Sequence, residues 1–530
     1  MFDIIIVGAG SAGSVLAGRL SEDPGLRVCL LEAGPPDTSA LIHCPGGLAA
    51  MAKSPHARHA FNWGFQTVPQ PGLNGRRGYQ PRGKVLGGSS SINAMIYTRG
   101  VPQDYDAWAA EGNAGWGWAD VLPWFKRAEH NERGANDWHG TGGPLNVMDL
   151  PTPNPFSRAF VEAGVQAGHV RNDDFNGPSQ EGVGLYQVTH KGGERFSAAK
   201  AYLTPNRSRP NLTVITGAHA TRVRIEGGCA VGVDYLQDGQ LRTARAEREV
   251  IVSAGALQSP QLLMLSGVGP ADHLRQHGIE VRHDLPGVGA HLHDHPDVVQ
   301  VWDVPGAREL VGISALGLWN TVRGVQQWRS QRTGPLTTNY AEAGGFIKSD
   351  PAEELPDLQL HFVIGKLVNH GRTTVFGHGF SCHVCVLRPK SRGSLRLASS
   401  DPLAPPLIDP AFLQDTDDLR RMVAGFKLMR ELLQQHALAR YGGREHSAAA
   451  RTDADIEAFI RQHADTIYHP VGSCRMGHGS IDVVDSELRV RGLQGLRVVD
   501  ASVMPSLVGG NTNAPVIMMA EKAAALVRAA

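Results

Sequence analysis

The chain has 530 residues, too many for one ordinary core and enough for two or three domains. Its 51 basic and 51 acidic side chains cancel, which argues against nucleic acid as the main partner. Hydrophobic residues at 42% and charged residues at 19% fit a soluble globular enzyme, and six cysteines are too sparse for a disulfide scaffold.

Residues 2 to 32 read as one β-α-β unit. The strand Ile4 to Val7 runs into the turn Gly8-Ala9-Gly10-Ser11-Ala12-Gly13, a helix follows to about Ser21, and a second strand, Arg27 to Leu31, ends at Glu32. Gly8 permits the tight turn, Gly10 admits a pyrophosphate to the backbone, and Gly13 lets helix and strand pack closely. The helix N-terminus, starting at Ser11 and Ala12, offers free N–H groups to phosphate. Glu32 lies 19 residues after Gly13, placed to accept hydrogen bonds from a ribose, with Ala33 beside it. The unit is a dinucleotide site; it suits FAD and does not exclude NAD. No charged leader precedes it, and no run of about 18 apolar residues follows, so the expected location is cytoplasmic.

A second glycine-rich stretch spans Gly83-Lys84-Val85-Leu86-Gly87-Gly88-Ser89-Ser90-Ser91-Ile92-Asn93-Ala94-Met95. Its backbone is able to approach a ligand closely, and a helix is expected to follow and aim its N-terminus at that ligand. A third long pattern runs from Gly255 through Ser259-Pro260 to Ser266-Gly267-Val268-Gly269. Ser259 is not a nucleophile elbow, because Gly-x-Ser-x-Gly is absent around it. His291, His293 and His295 alternate along an extended segment and would share one side; a metal cluster is the less favoured reading. Within residues 306–340, Leu318, Val322 and Val325 share a helical face, with Arg323, Arg329 and Arg332 nearby. The expectation is a helix packed on a second domain, and the alternative is a helix touching a membrane surface. Leu358 to Leu397 is strand-rich and half-buried in pattern, suited to an antiparallel sheet. Cys382 and Cys385 sit three apart in one of its strands and point to opposite faces, so no metal or redox pair is expected.

Near the C-terminus come His469-Pro470-Val471-Gly472-Ser473-Cys474-Arg475-Met476-Gly477, then Val499-Asp500-Ala501, then Asn511-Thr512-Asn513-Ala514-Pro515. With the two long patterns above, these stretches resemble the glucose–methanol–choline (GMC) oxidoreductase family, from residue 2 to about residue 527. The resemblance is strongest to the choline-dehydrogenase-like and bacterial FAD alcohol dehydrogenase branch. It implies a discontinuous α/β Rossmann-like FAD-binding domain, residues 1–150, 194–298 and 462–530. It also implies an α+β substrate domain with an antiparallel sheet, residues 151–193 and 299–461.

The same resemblance implies FAD contacts at Arg82, Val85, Gly87, Gly88, Ser89, Asn93, Ala94, Met95, Ala220, Asp500, Ala501, Asn511 and Thr512. Some relatives tether FAD through a histidine just before the asparagine of the first pattern. That position is Ile92 here, so the FAD is expected to be non-covalent. His469 is the implied catalytic base, Asn513 the second active-site residue, and Tyr468 an aromatic wall of the substrate pocket. The implied reaction oxidises a primary alcohol, aliphatic or aryl, to the aldehyde, with hydride passing to flavin N5 and electrons leaving to a quinone-type acceptor or O2. Choline oxidation is the near alternative, and a flavin-containing hydroxynitrile lyase the alternative from another class. Contact of residues 306–340 with a membrane would place the protein at the inner membrane face.

Overall fold

The computed structural model describes residues 1–529. Five parallel strands form the first sheet, with Leu212–Thr216, Val28–Glu32, Phe2–Val7 and Gln240–Val252 side by side, and Leu496–Val498 beside the last of these. Every residue of Val28–Glu32 is buried, as expected of a parallel strand covered on both faces. Gln240–Val252 is long enough to serve twice. Its first half pairs antiparallel with Cys229–Gln237, which pairs in turn with His219–Glu226, while its second half enters the parallel sheet.

The helices Ser11–Leu20 and Asn513–Ala529 pack on each other beside this sheet. They are the first and last long helices of the chain, and a two-pronged ion pair joins them. Arg19 Nη2 lies 2.8 Å from Glu521 Oε1, and Arg19 Nε lies 2.9 Å from Oε2. Such bidentate pairs are the strong kind.

The second sheet has eight strands, all antiparallel: Arg444–Glu445, Pro296–Asp303, Gly377–Val386, Leu358–Val363, Ala343–Ile347 and Gly182–Leu185 in order, with Gly312–Ile313 and Asp465–Thr466 added at its flanks. The helices Pro155–Gln166 and Thr416–Leu433 cover one face. The strand period divides the residues cleanly. Leu358, Leu360 and Phe362 enter the core under those helices, where Phe160 stacks on Phe362. The alternate residues Gln359, His361 and Val363 look the other way, towards the first sheet. Cys382 and Cys385 fall in separate core clusters, on opposite faces of their strand. Burial holds both thiols well above the ordinary cysteine range.

Three expectations are corrected. No helix follows the Gly-Ser stretch directly. Gly88–Ser91 makes one 3-10 turn, and the next helix is Pro102–Ala110. The serine hydroxyls explain this: Ser90 Oγ donates to the Gly87 carbonyl and Ser91 Oγ to that of Leu86, which competes with helical bonding. The strand-rich run to Leu397 does not stay in one sheet. Ser394–Arg396 pairs only with Leu407–Asp409, and Leu395, Leu397 and Ile408 pack into the core of the first sheet. The helix Ala315–Gln331 is not packed along its apolar face; only Gly324 and Trp328 are buried. Among the described residues, no helix is long and apolar enough to cross a membrane.

Gly13 shows how tightly the first turn is built. A Cβ there would lie 1.8 Å from the Gly8 carbonyl oxygen. Gly13→Val is therefore expected to destabilise the protein by ~1–3 kcal/mol, the usual cost of overpacking. An unchanged urea-unfolding midpoint would show that the helix yields without cost.

Candidate active site

A cavity of about 1030 Å³ is lined by residues of both sheets. One end is the first glycine turn. Gly8, Gly10, Ser11, Ala12, Glu32 and Ala33 all line it. A Cβ on Gly10 would meet nothing within 4 Å, so the turn is open to a ligand on that side. The second glycine turn closes on the first, backbone to backbone. The Gly87 N–H donates to the Ala9 carbonyl at 2.7 Å, and a Cβ on Gly88 would fall 2.7 Å from Gly10 Cα.

Glu32 ends its strand with a buried carboxylate. Its Oε2 accepts the Ala9 N–H at 2.9 Å and its Oε1 the Gly34 N–H at 2.8 Å. Burial raises its pKa to about 7 against these bonds. The remaining lone pairs are free for hydroxyl donors. Beyond it lie Ala220 and His219, and Trp63, which sequence reasoning missed.

Arg82, Gly88, Ser89, Asn93, Ala94 and Met95 line the middle of the cavity, with Ile92 among them. Three expected contacts stand behind the wall instead. Gly13 packs on Gly8, Val85 sits in a small cluster with Ile42, Met51 and Ala57, and Gly87 holds the two turns together. Asp500, Ala501, Asn511, Thr512 and Asn513 come from the C-terminal segment. The Asp500 carboxylate accepts from the Gly255 N–H, the Ser259 hydroxyl and the Ser502 N–H. It thus ties the third sequence pattern to this segment, and Ser253, Ala254 and Gly255 become cavity wall that the motif alone did not assign.

His469 closes the cavity at the second sheet. Its backbone N–H donates to Asp294 Oδ1 at 2.8 Å. Its Nδ1 lies 3.0 Å from His295 Nδ1, and its Nε2 lies 3.2 Å from Asn511 Nδ2. Burial drives its pKa well below the ordinary histidine value, reinforced by His295, His361 and Arg82. The imidazole is therefore neutral at neutral pH. The contact with His469 is made by Asn511, not by Asn513, whose Oδ1 accepts from Ser11 Oγ at 2.7 Å.

Tyr468 lines the cavity with φ at 78°, a strained value for a bulky residue. Two bonds hold it: Arg82 Nη2 donates to its carbonyl at 2.7 Å, and its hydroxyl meets His370 Nδ1 at 2.5 Å. His361 also lines the cavity, buried, with neither ring nitrogen hydrogen-bonded in the protein. Burial lowers its pKa to about 3. Its signal in the sequence was only a histidine within a strand. His291, His293 and His295 do not share a side. His291 has φ at 57°, His293 Nδ1 donates to the His291 carbonyl, and His295 turns to His469.

The helices Gly47–Lys53, Pro55–Phe61 and Ala315–Gln331 and residues 365–377 border the cavity. They contribute Lys53, Arg58, Arg329, Lys366 and Arg372, and the segment before Ala315–Gln331 adds Arg308 and one carboxylate, Glu309; Lys366 Nζ is paired with Asp303 Oδ1 at 2.7 Å. On the outer side of Ala315–Gln331, Leu318 is 68%, Trp319 60% and Val322 55% exposed.

Comparison with known proteins agrees with this geometry. Two models described as GMC oxidoreductase match residues 2–297 and 389–520. The chain is 50% identical over 533 residues to an alcohol dehydrogenase [acceptor] of Pseudomonas putida, covering 99% of this chain and 96% of that one. It is 45% identical over 527 residues to an oxygen-dependent choline dehydrogenase of Sinorhizobium fredii, covering 98% and 94%. Among solved structures it is similar to pyridoxine 4-oxidase from Mesorbium loti, with a TM-score of 0.88, 33% identity and 100% of both chains covered.

Ile92 offers no nucleophile to a flavin ring. Acid precipitation of the purified protein is expected to release the yellow colour into the supernatant. A pellet that stays yellow after washing would overturn non-covalent binding.

Proposed function

The chain belongs to the GMC oxidoreductase family, whose FAD-dependent members act on CH–OH donors, and from that premise we propose that it oxidises an uncharged primary alcohol, aliphatic or aryl, to the aldehyde with His469 as the base. The cofactor is FAD, and the residues fit it. Gly10 leaves room for a pyrophosphate beside a helix N-terminus, and Glu32 keeps free acceptors for a ribose. When bound, FAD supplies the acceptor for the hydride.

The observation that carries the reading is a buried, neutral imidazole at the far end of the same cavity, with an amide at its Nε2. The alcohol hydroxyl displaces the Asn511 N–H from His469 Nε2, which then takes the hydroxyl proton, and the freed Asn511 amide and that of Asn513 are presented to the substrate oxygen. Loss of the hydride from the adjacent carbon completes the carbonyl. Tyr468, Ile467 and Val363 give the pocket apolar walls and exclude water. The choline alternative is less favoured because the cavity border carries Lys53, Arg58, Arg308, Arg329 and Arg372 against Glu309, Lys366 being paired with Asp303, and a quaternary ammonium would have to pass them. Asp297, a buried carboxylate near the site, is engaged by His383 at 2.7 Å.

His469→Ala should slow anaerobic flavin reduction by an alcohol by ~10²–10⁴-fold, the usual weight of a general base. Because the His469 pKa is lowered, the base form persists as pH falls through the ordinary histidine value near 6.5. The rate of flavin reduction should therefore stay flat there and decline only at lower pH. A normal rate in the variant, or half-loss of rate near the ordinary histidine value, would sink the assignment.

The electron acceptor is external, and a quinone-type acceptor is our reading over O2. It is supported by the unpartnered apolar face of Ala315–Gln331 and the cations beside it, which together suit an anionic lipid surface. Protein that sediments with phosphatidylglycerol vesicles but not with phosphatidylcholine vesicles is the expected result. Leu318→Ser with Trp319→Ser should abolish it while leaving turnover with a soluble acceptor intact. Absence of sedimentation in low salt would remove the membrane reading and leave the oxidation untouched.

A further inference from the structure

His469 has two ring nitrogens, and only a bare one is able to accept a proton. Two separate hydrogen-bond chains meet on this ring, and each begins at a backbone carbonyl, which only accepts. The first starts at Leu387. Its carbonyl lies 3.0 Å from His295 Nε2, so that nitrogen carries a hydrogen. A neutral His295 then has a bare Nδ1. That Nδ1 lies 3.0 Å from His469 Nδ1, and a hydrogen bond there requires the hydrogen to sit on His469. His469 Nε2 is left bare.

The second chain starts at Leu360, in the neighbouring strand of the same sheet. Tyr186 Oη donates to the Leu360 carbonyl at 2.6 Å, so its oxygen accepts from Gln359 Nε2 at 3.3 Å. The same Gln359 amide nitrogen donates to Asn511 Oδ1 at 3.1 Å. Thr98 Oγ1 donates to that Oδ1 as well, at 3.2 Å. The Asn511 amide is thereby oriented with Nδ2 towards His469 Nε2, 3.2 Å away. An N–H at that distance needs an acceptor, so this chain also leaves Nε2 bare. The two chains share no residue other than His469 and reach the same tautomer.

His295 has no exposed surface and stands almost perpendicular to His469, with ring centroids 5.2 Å apart. It lines no part of the cavity and reaches the site through its contact with His469. We propose that His295 is a positioning residue for the oxidation, holding the Nδ1–H of His469 so that Nε2 is the only base presented to the alcohol. This rests on the reading of His469 as the base. The proton balance is simple. The alcohol hydroxyl takes the place of the Asn511 N–H at His469 Nε2 and its proton moves to that nitrogen, the Nδ1–H stays in its bond to His295, and no proton passes to His295. The nearest comparison is a serine-protease triad, where the aspartate serves the same end by orienting a histidine and fixing its tautomer. Here a neutral ring does it.

The test compares His295→Leu with His295→Gln by anaerobic stopped-flow reduction of the bound flavin. Leucine fills the space and offers nothing to His469 Nδ1. Its limiting reduction rate should fall on the order of 10²-fold or more, as when a triad histidine loses its tautomer control, with the alcohol concentration for half-saturation little changed. Glutamine presents one donor for Leu387 and one acceptor for His469, and should recover most of the rate. FAD content and the unfolding midpoint of both variants are measured alongside. A wild-type rate in His295→Leu overturns the proposal. So does a glutamine variant as slow as the leucine one, whether it has kept its FAD or lost it. A slow His469→Ala beside a fast His295→Leu would leave the base in place and remove only the role of His295. A fast His469→Ala would remove the base itself.

Discussion

One buried carboxylate, Asp294, holds the segment that carries His469 against the antiparallel sheet. Its Oδ1 accepts the His469 N–H, and its Oδ2 accepts from Thr466 Oγ1 at 2.5 Å and from Gln80 Nε2 at 3.3 Å. Burial still raises its pKa to about 6, partly offset by those bonds and by Arg82. A carboxylate in so dry a place persists only where donors converge on it. The consequence reaches the chemistry. Asp294 sets where the His469 backbone lies, and the next residue, His295, sets how its ring is turned. Two neighbours in sequence thus fix one distant residue in both position and orientation.

The same economy governs the cofactor end. The dinucleotide turn, the second glycine turn and the pattern around Gly255 lie far apart in sequence, and they touch through atoms that tolerate no side chain. Gly13 against Gly8 and Gly88 against Gly10 are contacts of backbone on backbone. Asp500 then binds Gly255 and Ser259 from the C-terminal segment. The first and last long helices are joined by Arg19 and Glu521. A discontinuous domain of this kind has no local unit that completes the site. The cavity exists only once the ends of the chain have met.

Much of this was legible in the sequence, for reasons that are local. The spacing of Gly8, Gly10, Gly13 and Glu32 is dictated by one turn, one helix and two strands, and the structure reproduces each. His469 stood out because Pro470 and a glycine turn follow it. The rest was hidden because it depends on contacts across the chain. Nothing near His295 announces a partner 174 residues away. The resemblance implied Asn513 as the second active-site residue and Asn511 as an FAD contact; that Asn511 is the one bonded to His469 depends on its distant partners Thr98 and Gln359, while Asn513 bonds Ser11. A helix is expected directly after the serines that follow Gly88, and none forms there because the Ser90 and Ser91 hydroxyls bond back to the turn. The apolar stripe of Ala315–Gln331 carried the right period for packing, and periodicity cannot say whether a face meets protein or something else.

Burial has two opposed effects on the base. It keeps His469 neutral, which readies Nε2 to accept a proton, and it makes the imidazolium that follows unwelcome. In many acid–base sites a carboxylate beside the ring softens that penalty. Here the ring's partner is His295, itself held neutral by burial with a pKa of about 3. A neutral acceptor orients the ring without stabilising its charge as an anion would. The protonated state is therefore a passing one, favoured only while negative charge develops on the substrate oxygen beside it, and the resting site returns to the neutral tautomer that both hydrogen-bond chains specify.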